Sequence, residues 1–357
     1  MNPGGGLKMN ASMIQPQPTF SVVGSDFIRN YVAENVENLV EIVRATYLAH
    51  RRGSTVNPDS YFLRFPDQPT ARIIALPAAL GEQSPIAGIK WISSYPSNHE
   101  RDLQRASAVL ILNDYNTGYP FACLEGSIIS AARTAASAVV AAEQLHPSPK
   151  QIRRLGVVGA GPIARMTCEF LLRIGWQIGE MRVHDLNAER GKSLVDHMKA
   201  AWTLTAEFEP DNAAMIAGSD LVLFATTAPT PYLGNPGLFE HNPTVLHVSL
   251  RDLSPEIVLS CQNVVDDIEH CLKANTSVHL TEQSVRHRNF IAGTLADILA
   301  GVLRPDLDRP RLFSPFGLGV LDLAVGAAIY QASVGDKMDR LVPGFFPRTL
   351  DFAGSSN

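Results

Sequence analysis

The apolar positions of this chain fall into two textures that alternate in blocks. From Val22 to Arg51, Ile28, Val32, Val36, Leu39, Val40, Val43 and Tyr47 recur at three- and four-residue steps. That spacing predicts a helix which Ser25 or Asp26 can cap and Gly53 ends. Short apolar runs follow at Tyr61–Phe65, Arg72–Leu76 and Ile86–Ile92, punctuated by Pro and Gly as hairpin strands require. A further pair, Ser107–Asn113 and Gly118–Leu124, flanks a hairpin turn. Glu125 to Leu145 then reads as an alanine-rich helix, closed by His146-Pro147-Ser148-Pro149.

From Leu155 the pattern becomes a strand–turn–helix–strand unit. Leu155-Gly156-Val157-Val158-Gly159 suits a strand buried on both faces. The turn Gly159-Ala160-Gly161-Pro162-Ile163-Ala164 fits G-x-G-x-x-A. Gly159 permits the tight turn, Gly161 lets a pyrophosphate approach the backbone, and Ala164 lets the helix lie close on the strand. Pro162 suits the first helical turn, and Gly175 the residue after the last. Met181–Asp185 forms a second strand ending in an acid, 24 residues past Gly161 (185 − 161). A carboxylate on the adenosine ribose is expected at roughly 20. A glycine turn alone occurs in any doubly wound domain; strand, helix and terminal acid in register favour a dinucleotide site. Leu204–Phe208, Leu221–Thr226, Thr244–Leu250 and Asn263–Ile268 continue as strands three to six, with a short helix over Asp211–Gly218. The tail, Leu312–Val334, is strand-like and then helical, and is expected to return to the first unit. The predicted fold class is therefore α/β. A Rossmann doubly wound parallel sheet spans residues 146–309, and a discontinuous α+β domain spans 20–145 and 310–357. Residues 1–19 are expected to be disordered.

With 45% apolar and 18% charged residues, 357 residues suffice for two domains with sizeable cores. A net charge of −5 argues against a nucleic-acid or anionic-membrane partner. The four cysteines, at 123, 168, 261 and 271, lack CxxC spacing or a histidine cluster. They read as buried thiols of a reducing compartment, with no metal site. Neither a signal peptide nor an 18-residue apolar span is visible, so a cytoplasmic location is expected.

A dinucleotide enzyme leaves hydride chemistry to its cofactor and must orient and polarise the substrate. Cations in the first unit are therefore the candidates. Lys90 lies within the apolar run Ile86–Ile92, where a charge is costly without a partner. Its alternative is an edge-strand lysine facing water, and the pattern leaves both open. Arg64 and Arg72 can each fork onto a substrate carboxylate or simply lie at the surface. Arg133, flanked by Ala131-Ala132 and Ala135-Ala136, stands on a close-packed face and calls for an anion, with cofactor phosphate one candidate.

The segments Gly88-Ile89-Lys90-Trp91, Pro96-Ser97-Asn98, Gly118-Tyr119-Pro120, Arg133-Thr134-Ala135-Ala136, Gly159-Ala160-Gly161 and Phe313-Ser314-Pro315-Phe316-Gly317 together resemble the ornithine cyclodeaminase/μ-crystallin family. Leu103-Gln104-Arg105-Ala106-Ser107 and the run Cys123–Thr134 resemble one branch of it, the N-(2-amino-2-carboxyethyl)-L-glutamate dehydrogenases. The resemblance implies Lys90 as the substrate lysine and Arg64, or alternatively Arg72, as the carboxylate-binding arginine. It implies Arg133 and Thr134 on the cofactor phosphates, Pro162 and Ile163 on the pyrophosphate, and Asp185 on the ribose. Thr226, Ser249, Leu250 and Arg251 would line the nicotinamide side and Phe316 would close it. It also implies a homodimer paired through the antiparallel sheets. Two departures bear on ornithine cyclisation. Ile74 stands where cyclodeaminases carry a glutamate, and Asp252 matches their catalytic aspartate only with a one-residue offset. Arg251, replacing a glycine, adds a cation for another carboxylate.

The expected reaction is oxidation of a secondary amine by NAD followed by hydrolysis, yielding 2,3-diaminopropionate and 2-oxoglutarate for siderophore or peptide-antibiotic synthesis. Lys90 would pin the carboxylate beside the reacting carbon, and Asp252 would move protons. Asp185 disfavours the 2′-phosphate of NADP, although Arg182 and Arg190 lie near it in sequence. Cyclodeaminase or alanine/imine dehydrogenase activity, or a μ-crystallin-like carrier role, are the alternatives.

Overall fold

The computed structural model describes residues 18–81 and 85–347. The disorder expected for residues 1–19 therefore falls, except for Pro18 and Thr19, outside the described residues. So does the end of the tail, 348–357.

The chain opens with β1 (Ser21–Val23), α1 (Ser25–Glu34) and α2 (Val36–Arg51). The one helix expected over Val22–Arg51 is thus a strand and two helices. Asn35 makes the break: its backbone leaves the helical region (φ −121°, ψ 31°) and its amide donates to Tyr31 O at 2.9 Å. A short polar side chain that bonds nearby backbone competes with the helical ladder in this way. Apolar periodicity runs straight through the break, because both helices bury the same face.

Next come β2 (Thr55–Val56), β3 (Tyr61–Phe65), β4 (Gln68–Leu80), β5 (Ile86–Ser94), β6 (Ala106–Asp114), β7 (Pro120–Glu125) and α3 (Gly126–Leu145). The strands order as β2-β4-β5-β6-β7-β1, with β3 also on β4. All these pairings are antiparallel except β1, which joins β7 in parallel. Glu125 caps α3 by accepting from the backbone N–H groups of Ser127 and Ile128.

The second sheet contains β8 (Gln151–Val158), β9 (Gln177–His184), β10 (Ala206–Phe208), β11 (Leu221–Phe224), β12 (Thr244–His247), β13 (Gln262–Val265), β14 (Ile291–Thr294) and β15 (Arg311–Phe313). Its order is β10-β9-β8-β11-β12-β15-β13-β14, and every pairing is parallel. The order reverses between β8 and β11, which is where a doubly wound sheet opens its ligand crevice. The sheet has eight strands among the described residues, not the expected six. Of the two beyond those six, β14 has four residues, too short to carry a period, and β15 is the strand-like start of the tail. β15 also corrects the expected return at residue 310: the chain completes this sheet first and leaves it only after Phe313.

The helix α4 (Pro162–Arg173) follows the glycine turn, and α5 (Gly319–Gly335) carries the chain back onto α2, α3 and strands β4 to β6. In register, Lys90 lies opposite Leu76 and Leu110, and Ser94 opposite Arg72, which in turn lies opposite Arg64. Directly paired antiparallel residues point to one face, and the face repeats every two residues. Lys90, Ser94, Arg72 and Arg64 therefore share the face that α3 and α5 cover at the Lys90 end.

Candidate active site

Lys90 is 2% exposed, on the central strand β5. This decides between its two readings: it is no edge lysine. Its Nζ donates to Asp322 Oδ2 at 2.6 Å and to Ser130 Oγ at 3.0 Å. The other oxygen of Asp322 accepts from Arg133 Nε at 3.3 Å. Burial lowers the Lys90 pKa to about 8, Asp322 opposes that shift, and the Arg133 charge adds to it. One fully buried carboxylate thus holds two cations, so the cluster keeps an excess positive charge directed at whatever anion reaches it.

Arg133, expected on the cofactor phosphates, stands beside Lys90 on the same carboxylate, Asp322. A Cβ built on Gly317 (φ +99°) would meet the guanidinium at 2.7 Å, so the arginine lies flat against that turn. Thr134, expected at the phosphates with it, turns its hydroxyl back onto Ser130 O at 2.7 Å within α3. Close packing of the alanine-flanked face did signal that Arg133 needs an anion; the structure supplies Asp322.

Arg64 and Arg72 are paired across β3 and β4, so the alternatives for the carboxylate arginine are neighbours. Arg251, from the loop after β12, joins them. Burial lowers its pKa, and Arg72 and Arg64 lower it further, which places the three positive charges in one field. Arg251 is braced by the carbonyls of Asn275 at 3.1 Å and Ala274 at 2.5 Å. Among the described residues none of these three is paired with a carboxylate.

The glycine turn lies at the end of β8. Gly159 has φ +92°, and a Cβ there would lie 2.6 Å from Ala225 O, so the turn is packed against the strand across the crevice. Around the Gly161 Cβ position nothing lies within 4 Å, and Gly161 caps α4 without a side-chain bond. Pro162 and Ile163 begin that helix, whose first N–H groups are left for an anion. Asp185 follows β9; its carboxylate accepts from Ala160 N and Asn187 N, both at 2.8 Å, which ties the acid to the turn. Arg182 is drawn off by Glu180 and by Glu207 at 2.5 Å. This combination fits a dinucleotide: open backbone at the pyrophosphate, an acid at the ribose, and no free Arg182 to welcome a 2′-phosphate.

Asp252, expected to move protons, sits inside a closed hydrogen-bond network. It is fully buried, and its carboxylate accepts from four side chains of its own loop region: Thr226 and Ser249 at 2.5 Å, Tyr232 and His247 at 3.1 Å. Burial raises its pKa, but His247, Ser249 and Thr226 outweigh this and keep it below the ordinary carboxylate value. It organises the floor of the crevice and has no lone pair left for a substrate proton. Thr226 and Ser249, expected to line the nicotinamide side, serve this network. Leu250 accepts from Ser277 N at 2.8 Å and, with Ser249 and Phe316, borders a small pocket. Phe316 is positioned through its N–H, which donates to Asp266 at 2.9 Å; Gly317 N donates to the same carboxylate at 2.7 Å.

Asp322, Ser130 and Asp266 were missed by sequence reasoning. Asp322 had a signal: a lone carboxylate in the first turn of an otherwise apolar helix. The other two look like ordinary polar residues until the fold brings their partners.

A model of the "Ornithine cyclodeaminase/mu-crystallin family" matches residues 29–337. The N-((2S)-2-amino-2-carboxyethyl)-L-glutamate dehydrogenase of Staphylococcus aureus is 29% identical over 301 residues, 82% of this chain and 89% of that protein. Among solved structures, Thermococcus litoralis Delta(1)-pyrroline-2-carboxylate reductase in complex with NADH and L-proline is 24% identical. It superposes with a TM-score of 0.84 over 90% of this chain and all of the other. An archaeal alanine dehydrogenase dimer with bound NAD gives 0.81 at 21% identity, covering 92% of this chain and 100% of that one.

Proposed function

Because the chain belongs to the ornithine cyclodeaminase/mu-crystallin family, we propose that it is an NAD-dependent oxidoreductase acting on the CH–NH bond of an amino-acid substrate. Its substrate in this reading is N-(2-amino-2-carboxyethyl)-L-glutamate, the compound named for the Staphylococcus aureus relative. The observation that carries the reading is the Lys90–Asp322–Arg133 cluster, whose lysine shares a sheet face with Arg64 and Arg72 in the field of Arg251, three arginines that have no carboxylate partner among the described residues. An alanine or ornithine site needs to neutralise one carboxylate; this cleft offers positive charge for several.

NAD, which the glycine turn, the start of α4 and Asp185 would hold, would supply the acceptor for the hydride of the glutamate-derived Cα–H; loss of the N–H proton and addition of water across the C=N bond would then give 2,3-diaminopropionate and 2-oxoglutarate. Lys90, with Arg133, holds the carboxylate on that carbon and keeps it from rotating away. Asp322 fixes both cations without leaving its buried position. Gly161 and the start of α4 take the pyrophosphate, and Asp185 the ribose. The protein works in this reading as a cytoplasmic homodimer, consistent with four unpaired cysteines and with apolar exposure at Leu63, Trp91 and Val109 on the open face of the first sheet. The product is a precursor that either siderophore or peptide-antibiotic synthesis would consume.

The decisive assay is NADH formation from the secondary amine, compared with ornithine and alanine. Turnover of the triacid with equimolar 2-oxoglutarate supports the proposal. Ammonia release from ornithine, with the triacid inert, overturns it.

A further inference from the structure

Arg105 immediately precedes β6, and its carbonyl accepts from Tyr95 N at 2.8 Å, which fixes its backbone at the end of β5. From there its Nη1 donates to Ser94 Oγ at 2.8 Å. Ser94 is buried, lies opposite Arg72, and points to the Lys90 face. Arg105 therefore bends over the strand end onto the substrate side of the sheet. Burial lowers its pKa and the charge of Arg72 lowers it further. Among the described residues neither has a carboxylate partner, in contrast to Arg44, Arg51, Arg154 and Arg182. Like charges brought to one place by a buried serine and by sheet register cost stability, and an anion between them offsets that cost.

We infer that Arg105, positioned by Ser94 and acting with Arg72, forms an outer carboxylate subsite that selects substrates carrying a second carboxylate remote from the reacting carbon. This rests on the reading of the cleft given above and names its substrate class. Lys90 and Arg72 are separated by four strand steps (94 − 90, across the Ser94–Arg72 pair), about 13 Å between their backbones at 3.3 Å per residue. Two long side chains reaching inward shorten that span, so an inner site at Lys90 and Arg133 and an outer site at Arg72 and Arg105 suit the two ends of one extended polycarboxylate. Ser94 is a positioning residue: it holds one arm of the Arg105 fork and leaves the other for the ligand.

The test separates binding from turnover. The full-length protein saturated with NADH is titrated with 2-oxoglutarate and with 2-oxobutyrate, which lacks the remote carboxylate, following the nicotinamide fluorescence. We expect the wild type to prefer the dicarboxylate, and Arg105→Gln to weaken its binding about 10- to 100-fold, as loss of a charge-assisted bond does. Binding of 2-oxobutyrate and NADH should stay unchanged. Arg105→Lys should recover part of the loss, and Ser94→Ala should raise KM for the amine substrate with kcat retained. The inference is overturned if the wild type does not prefer 2-oxoglutarate, or if Arg105→Gln weakens both keto acids alike or neither. Oxidation of the triacid by the wild type is measured in parallel. Its failure beside an intact Arg105 effect condemns the reaction assignment and leaves the subsite standing.

Discussion

Asp322 Oδ2 lies 2.6 Å from Lys90 Nζ, joining the first turn of α5 to the middle of β5 across 232 residues of sequence. The carboxylate also holds Arg133, so removing it strands two cations, whereas removing the lysine leaves an Arg133–Asp322 pair. Asp322→Asn is therefore expected to destabilise the protein by about 3 kcal/mol, the cost of breaking a buried pair. Lys90→Met, which fills the same space with apolar atoms, should cost clearly less. Both should abolish turnover. Urea unfolding of the two variants checks the ranking, and a Lys90→Met protein less stable than Asp322→Asn would refute the account.

The depressed Lys90 pKa gives two pH signatures. Its folded value of about 8 lies below the ordinary 10.5, so the unfolded chain holds this proton more tightly. The contribution of Lys90 to stability is thus most favourable above 10.5, declines as pH falls from there to about 8, and is constant below. Activity runs the other way. Only the ammonium pins a carboxylate, so kcat/KM should fall as pH rises through about 8 in the free enzyme. Binding of an anionic substrate should move that limb upward in kcat. A kcat/KM that increases through this range would mark Lys90 as a base instead.

Asp252 should behave as scaffold. Asp252→Asn turns one acceptor oxygen toward donors as an amide, disturbing bonds to Thr226, Tyr232, His247 and Ser249. Loss of a hydrogen bond to a charged group costs about 1.5–3 kcal/mol. We expect that loss in urea unfolding, together with a raised KM for NAD because the crevice floor shifts. The shape of the kcat pH profile should not change. Disappearance of one limb of that profile would restore Asp252 as the proton carrier.

How much of this was readable from the chain depends on how far apart the partners lie. The glycine turn, Asp185 and the long strands β4 to β6 announce themselves locally, through conformational need or a sustained period. Lys90 announced itself only as a question, because an apolar run cannot say whether its strand is central or at an edge; sheet order answers it. Asp322 and Arg105 needed the fold outright, since what matters in each is a partner, Lys90 or Ser94, that sequence does not place. The network around Asp252 was equally hidden, since Thr226, Tyr232, His247 and Ser249 meet its carboxylate only once β11 and β12 lie side by side.

On the open face of the first sheet, Trp91 lies opposite Val109 and Ala75, with Leu63 opposite Ile73 nearby. If this face pairs two copies, Trp91→Glu buries a charge in the interface and should convert the homodimer to monomers, read by light scattering. Dimers unaffected by that change would place the interface elsewhere.

The two glycines of the turn should respond oppositely to the same methyl group. Gly159 is held at φ +92° with Ala225 O 2.6 Å from its missing Cβ. Gly159→Ala then meets both backbone strain and a carbonyl that belongs to β11's continuation, and neither can move without opening the sheet. We expect a poorly folded protein with a lowered unfolding midpoint. Gly161 has φ −80° and nothing within 4 Å of its Cβ position. Gly161→Ala should therefore fold with wild-type stability, since alanine loses less chain entropy on ordering. Its methyl, however, occupies the space through which the pyrophosphate approaches the first turn of α4. NAD binding, measured by calorimetry, should weaken by about 10-fold or more, the effect of losing a close backbone contact to an anion. Unchanged NAD affinity in a well-folded Gly161→Ala protein would mean that the cofactor does not lie on this turn, and the proposed chemistry would lose its hydride acceptor.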